Sequence, residues 1–210
     1  MRCKLGARHG NVIGLTGNIA SGKSLALAVF KKSGFLTFSL DNYVHKIMNE
    51  NTSLKEKICI KFPNCVINGN ISRSILGDIV FNNKSDMISL EEIIVPYTKK
   101  RIEEIHNMIN KNKSRSAVVE IPLLFEKNRE KYFDKIIYLY SSTKTMLKRS
   151  LNRKNMNRKR FFGILENQYN KEEVINKVDF IIYNENKHYL FKYLKQIIQY
   201  GRFKRSYIRH

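Results

Sequence analysis

An α/β fold built on a parallel sheet with helices on both faces is what this 210-residue chain predicts, and three observations predict it. Apolar runs of strand length, at residues 12–16, 35–40, 117–121, 135–140 and 180–183, alternate with helical patterns. The runs are nearly continuous in apolar character, as strands covered on both faces must be. A glycine-rich turn joins the first run to the first helical pattern, and ligands gather at that carboxyl edge of a parallel sheet. No repeat or flexible linker divides the chain, so one domain over residues 11–210 is expected, with Pro63, Pro96 and Pro122 at element boundaries.

The turn itself is Gly17-Asn18-Ile19-Ala20-Ser21-Gly22-Lys23-Ser24, which fits the P-loop pattern G-x-x-x-x-G-K-[ST] between a strand and a helical run at 25–32. Glycines let successive backbone N–H groups face inward, and the following helix adds its positive N-terminal pole, so the loop cradles a polyphosphate. Lys23 would reach the β- and γ-phosphates of ATP, and the Ser24 hydroxyl would ligate Mg²⁺. A plain glycine turn is the bland alternative. The four fixed positions recur by chance in roughly one chain of this length in a hundred, and the flanking strand and helix make that coincidence rarer.

After the second strand comes Asp41, placed to emerge at the same sheet edge. It suits the group that accepts a proton from an attacking hydroxyl in phosphoryl transfer, and equally the cap of the next helix. The segment from about 43 to 114 is too long for a crossover and carries helical spacing in Leu76-Ile79-Val80 and Ile102-Ile105-Ile109. It is expected to form a helical insertion on the acceptor side. Glu120, near the end of the third strand, could hold Mg²⁺ directly or through water. Glu126 follows the run Ile121-Pro122-Leu123-Leu124-Phe125, more apolar than a surface loop and therefore either core or a wall against a ligand. Beyond the fourth strand, residues 143–173 carry Lys148, Arg149, Arg153, Lys154, Arg158, Lys159 and Arg160. Arg149 and Arg153 would share one helix face; a lid closing over ATP and a solvated basic face both fit.

Composition narrows the classes of partner. The formal net charge of +21 would suit nucleic acid, yet the excess lysine is spread among abundant Asn and Ile, a pattern that an AT-rich genome imposes on surface positions. No helix-turn-helix or aromatic-interleaved strand motif stands out, so no obligate nucleic-acid partner is expected. The densest basic stretch, residues 200–210, reads as a frayed terminus. Cys3, Cys59 and Cys65 form no CxxC or Cys/His cluster, which suggests neither a disulfide framework nor a zinc site. Without a signal-like h-region or an apolar run of membrane length, a soluble cytoplasmic protein is expected.

Taken together, these residues resemble the dephospho-CoA kinase family over residues 12–198. The resemblance rests on Gly14-Leu15-Thr16-Gly17 leading into the P-loop, Asp41 with His45, Gly69 with Arg73 and Leu76-Gly77, and the block Ile121-Pro122-Leu123-Leu124-Phe125-Glu126. Arg149 with Arg153, Gln168, and Asp179-Phe180-Ile181-Ile182 closing on Asn184 complete it. It implies a P-loop kinase fold and phosphorylation of the ribose 3′-hydroxyl of dephospho-CoA by ATP, with Mg²⁺. It further implies Gly17 and Ala20, Ser21, Gly22, Lys23, Ser24 and Leu25 around the ATP phosphates, and Asn184 at the adenine end. Lys23, Asp41 and Arg149 would be catalytic, with Arg149 on the lid. Asp41, His45, Arg73 and Glu126 would meet the acceptor, and Ser24 and Glu120 the metal. The chain departs from the family at Ser39, Val95 and Met146, where Asp, His and Gln are usual, and at Asn18 and Ala20 in place of glycine. Another small-molecule kinase, or a basic nucleic-acid-binding ATPase, are the rival readings.

Overall fold

The computed structural model describes residues 10–111, 115–154 and 156–200. Cys3, residues 112–114 and most of the basic tail, 201–210, lie outside them. In chain order the larger elements begin with β1 (Val12–Gly17), α1 (Lys23–Lys32), β2 (Leu36–Ser39), α2 (Leu40–Glu50) and α3 (Thr52–Lys61). They continue with β3 (Val66–Ile67), β4 (Asn70–Ile71), α4 (Arg73–Asn82), α5 (Lys84–Lys111) and β5 (Ala117–Glu120). The chain closes with β6 (Lys135–Tyr140), α6 (Thr143–Leu151), α7 (Arg158–Glu166), α8 (Lys171–Val174), β7 (Phe180–Tyr183) and α9 (Lys187–Tyr200).

Among the described residues, five strands form one sheet in the order β2-β5-β1-β6-β7, and every neighbouring pair is parallel. The central strand β1 is buried along its whole length, which is why Val12, Ile13 and Leu15 make it apolar on both faces and it does not alternate. On one face, Ile13, Leu15, Val118, Ile137, Leu139 and Ile182 pack with Ala26 and Phe30 of α1 and Leu190 and Leu194 of α9. On the other face the absent side chain of Gly14 admits Phe133 and Leu124, which a Cβ would meet at 3.0 and 3.1 Å. Asp134 fixes the strand start: its Oδ2 accepts the Val12 N–H at 2.7 Å.

The chain divides into two compact units: the sheet with residues 1–39 and 105–210, and residues Leu40–Glu104. The second unit has its own core of Met48, Leu54, Ile58, Phe62, Cys65, Ile71 and Leu76. Its two-stranded ribbon, β3 with β4, turns at Asn68 (φ 48°) and Gly69 (φ 73°). An Asn-Gly pair with both residues at positive φ is the preferred two-residue hairpin turn, a signal in the sequence that the helical reading of this segment passed over. The Asn49 side chain of α2 accepts the Ile71 N–H at 2.9 Å and pins the ribbon to that helix.

Two local expectations change. Pro96 lies inside α5, not at an element boundary. A proline deprives the carbonyl four residues back, that of Glu92, of its N–H partner, and residues 92 and 96 both lie on the exposed side of the helix, where water can serve that carbonyl. α6 ends at Leu151, so Arg153 lies beyond the helix and shares no helix face with Arg149. Among the described residues, no helix is long and apolar enough to cross a membrane.

Candidate active site

Gly17 ends β1 at φ 142°, where a Cβ would collide with the Leu139 carbonyl of the neighbouring strand. Gly22 caps α1 at φ 101°, where a Cβ would strike Asn184 Nδ2. These two positions therefore require glycine, and between them the loop curls back on itself. Ala20 also sits in the left-handed region, at φ 55°, although it carries a side chain. Ile19 and Ala20 are buried with Met146 of α6 and Phe161 of α7, so Met146 packs against the loop.

Lys23 begins α1, and its Nζ donates to the carbonyls of Gly17 and Asn18 at 2.9 Å each. This curls the lysine back over the loop it follows. Ser24 Oγ stands 3.4 Å from Glu120 Oε1. Glu120 is the last residue of β5 and pairs in register with Leu15 on one side and Ser39 on the other. The sheet thus delivers a carboxylate to the first turn of α1. A hydroxyl and a carboxylate are the hard oxygen donors that Mg²⁺ takes while keeping water and phosphate oxygens for its remaining positions.

A hydrogen-bond network anchors the loop from behind. The Tyr138 hydroxyl donates to Asn18 Oδ1 at 2.7 Å, and Asn18 Nδ2 donates to the Tyr169 carbonyl at 3.2 Å. Burial, aided by the Glu126 charge, pushes the Tyr138 phenol well up, so it stays a donor. Gln168 Oε1 accepts the Ile19 N–H at 2.7 Å, and Glu126 Oε1 accepts the Tyr169 N–H at 2.8 Å. Glu126 therefore spends one carboxylate oxygen on the segment that grips the P-loop.

At the ends of β6 and β7 the chain makes a second grip. Asn184 is buried, donates through Nδ2 to the Ser21 carbonyl at 2.7 Å, and leaves its Oδ1 without a hydrogen-bond partner. Arg149 Nη1 donates to Asn184 O at 2.9 Å, Ser141 Oγ at 3.0 Å and Ala20 O at 3.5 Å, while Nη2 donates to Glu185 O at 3.0 Å. The structure thus brings Lys23, Ser24, Glu120, Arg149 and Asn184 to one edge of the sheet.

Asp41, His45 and Arg73 belong to the second unit. Helix α2 starts at Leu40, so Asp41 lies inside its first turn and not at its cap, where a negative charge favours the helix dipole. His45 follows one turn later, and Arg73 opens α4 behind Ser72. Burial lowers the His45 imidazole below its ordinary value, the Arg73 charge lowers it further, and the Asp41 carboxylate partly opposes both. The three groups are therefore electrostatic neighbours.

Glu185, Ser141 and Tyr138 were not legible as site residues. Two of them sit at strand ends, where a polar residue beside the P-loop edge is a usable signal, and Tyr138 is hidden within an apolar run.

A family model for dephospho-CoA kinase matches residues 11–189. The dephospho-CoA kinase of Bartonella quintana is 37% identical over 171 residues, which are 81% of this chain and 87% of that protein. The solved dephospho-CoA kinase of Campylobacter jejuni is 31% identical, with a TM-score of 0.60 over 90% of this chain and 96% of its own. A solved Thermus thermophilus protein is 25% identical, with a TM-score of 0.77 over 90% of this chain and 97% of its own.

Proposed function

The chain belongs to the dephospho-CoA kinase family, and from that premise we propose how its residues divide the reaction. The enzyme phosphorylates dephospho-CoA with ATP, moving the γ-phosphoryl group to the ribose 3′-hydroxyl and leaving coenzyme A and ADP. What carries the reading is the family match across residues 11–189, which takes in both the P-loop and the second unit.

Phosphoryl transfer asks the protein for positioning and charge stabilisation more than for covalent chemistry. The backbone from Gly17 through Leu25 wraps the phosphates, and Lys23 exchanges its two carbonyl partners for β- and γ-oxygens, where negative charge moves during transfer. Ser24 and Glu120 would hold Mg²⁺, directly or through water, and the metal would supply positive charge to the phosphates of the nucleotide. Arg149, fastened by carbonyls at the same edge, supplies a cation to the nucleotide, and Asn184 with its buried acceptor lies toward the adenine.

On the acceptor side, Asp41 receives the proton of the attacking 3′-hydroxyl or orients that hydroxyl for in-line attack. His45 and Arg73 bind the acceptor beside it, Arg73 as a fixed positive charge and His45 as a neutral imidazole. Glu126 has an oxygen beyond the one that holds Tyr169 with which to meet a ligand hydroxyl. The basic 143–173 segment acts as a lid over ATP. The reaction is cytoplasmic and needs neither nucleic acid nor membrane. An ADP-release assay offering dephospho-CoA, AMP, UMP and shikimate in parallel tests the reading: turnover should be confined to dephospho-CoA, and preference for any of the others overturns it.

A further inference from the structure

Helix α6 begins behind Ser142, whose Oγ accepts the Thr145 N–H at 3.3 Å. In a capping box the third helical residue is Glu or Gln, and it reaches back to the N–H of the capping residue. Here that position is Thr145, which is too short for the task. The missing acceptor arrives from another element: Glu185, two residues past β7, takes the Ser142 N–H on Oε1 at 2.5 Å. Its Oε2 accepts the Thr145 hydroxyl at 2.6 Å and the Ser142 hydroxyl at 3.0 Å.

The same residue also holds the far side of the helix. Glu185 O accepts Arg149 Nη2, and Asn184 O, immediately before it, accepts both Arg149 Nη1 and the Ser141 hydroxyl, the latter at 2.6 Å. The Asn184 N–H is itself tied to Tyr140 O at 2.8 Å, which extends the β6–β7 pairing to this point. Two consecutive residues thus clamp α6 at its first turn by a side chain and at Arg149 by two carbonyls.

We propose that Glu185 is a positioning residue for the nucleotide site: its carboxylate fixes the first turn of α6 on the end of β7, and so sets the Arg149 guanidinium beside Ala20 of the P-loop. The proposal rests on the nucleotide-site reading of Arg149. Burial alone would push the Glu185 carboxyl up, but donors from Ser142, Thr145 and Tyr183 outweigh it and hold the group below the usual carboxylate range. It is therefore an anion throughout the neutral range, and its hydrogen bonds are of the stronger, charge-assisted kind. A local cap from within α6 would have stabilised the helix equally well. The long-range version adds a fixed relation between α6 and the strand end that bears Asn184.

The test is direct binding of a fluorescent ATP analogue with Mg²⁺, alongside thermal melting and dephospho-CoA binding, for the wild type, E185A, E185Q, R149A and the double variant E185A/R149A. Loss of hydrogen bonds to a charged group should weaken nucleotide binding about tenfold in E185A, with dephospho-CoA binding unchanged. E185Q keeps the volume and can leave an oxygen facing the Ser142 N–H, so it should recover most of the affinity, and it serves if E185A folds poorly. In the double variant the E185A loss should vanish, because Glu185 acts through Arg149. Wild-type nucleotide affinity in E185A and E185Q, or a loss in the double variant equal to the sum of the single ones, overturns the proposal. A wild type that binds the nucleotide analogue but transfers nothing to dephospho-CoA would overturn the functional reading instead, with the Glu185 comparison still decided by binding.

Discussion

Ser24 Oγ and Glu120 Oε1 stand 3.4 Å apart although 96 residues of sequence separate them. Their meeting follows from sheet order: β5 lies directly beside β1, and the pairing of Leu15 with Glu120 brings the carboxylate level with the start of the P-loop. If the pair holds Mg²⁺, Glu120→Gln removes a charge from the metal's surroundings. The Mg²⁺ concentration for half-maximal activity should rise about tenfold or more. An unchanged Mg²⁺ titration in the variant would assign Glu120 to packing.

Asp41 is the residue we propose for the acceptor chemistry. Asp41→Asn should lower kcat by a factor on the order of 10²–10⁴ with little change in ATP affinity, as expected for loss of a positioned proton acceptor. Its place in the first turn of α2 gives the competing outcome: if only the melting temperature falls and turnover persists, the carboxylate serves the helix. Steady-state kinetics and thermal melting on the same preparation separate the two.

Arg149→Lys should still harm transfer, because lysine keeps the charge but cannot span the Asn184 and Glu185 carbonyls as the planar fork does. A loss of roughly tenfold or more in kcat/KM for ATP is expected. Arg153→Lys, at an exposed position past the end of α6, is expected to be nearly silent. The reverse ranking, measured side by side, would transfer the nucleotide cation to Arg153.

The His45 imidazole gives a pH signature. Its folded value is lowered, so as pH falls the unfolded chain takes up the proton first, near the ordinary value of 6.5, and the folded chain only at lower pH. Its contribution to stability is complete above that ordinary value and is lost as pH falls through the folded one. Urea unfolding at about pH 7.5 and about pH 5.5 should show a smaller drop in stability for His45→Gln than for the wild type. Equal drops would mean that the imidazole titrates alike in both states.

What the sequence reveals depends on whether a residue's partner is local. β6 and β7 are continuous apolar runs with clear ends, and the structure has them at the expected bounds, Lys135–Tyr140 and Phe180–Tyr183. The glycine turn from Gly17 to Gly22 and its junction with Lys23 and Ser24 are legible because the whole motif lies within eight residues. Pro96 is not, since only the structure shows that it lies on the exposed side of a 28-residue helix, where the carbonyl it leaves unpaired can meet water. The relation of Arg149 to Arg153 is misread because helical spacing does not announce that α6 stops at Leu151. Glu185 is hidden for the same reason as Glu120 would be without its strand: its partners are about 40 residues away, and only topology brings them together.

The most direct measurement is mass detection of the product after incubation of the protein with dephospho-CoA and Mg-ATP, with Lys23→Ala as the paired control. Coenzyme A, one phosphoryl group heavier than the substrate, should accumulate with an equal amount of ADP. The rate in the folded Lys23→Ala variant should be lower by a factor on the order of 10²–10³ or more, since a charged clamp on a transferring phosphoryl group is lost. No coenzyme A from the wild type, or equal rates from the wild type and Lys23→Ala, would contradict the assignment of this P-loop to dephospho-CoA phosphorylation.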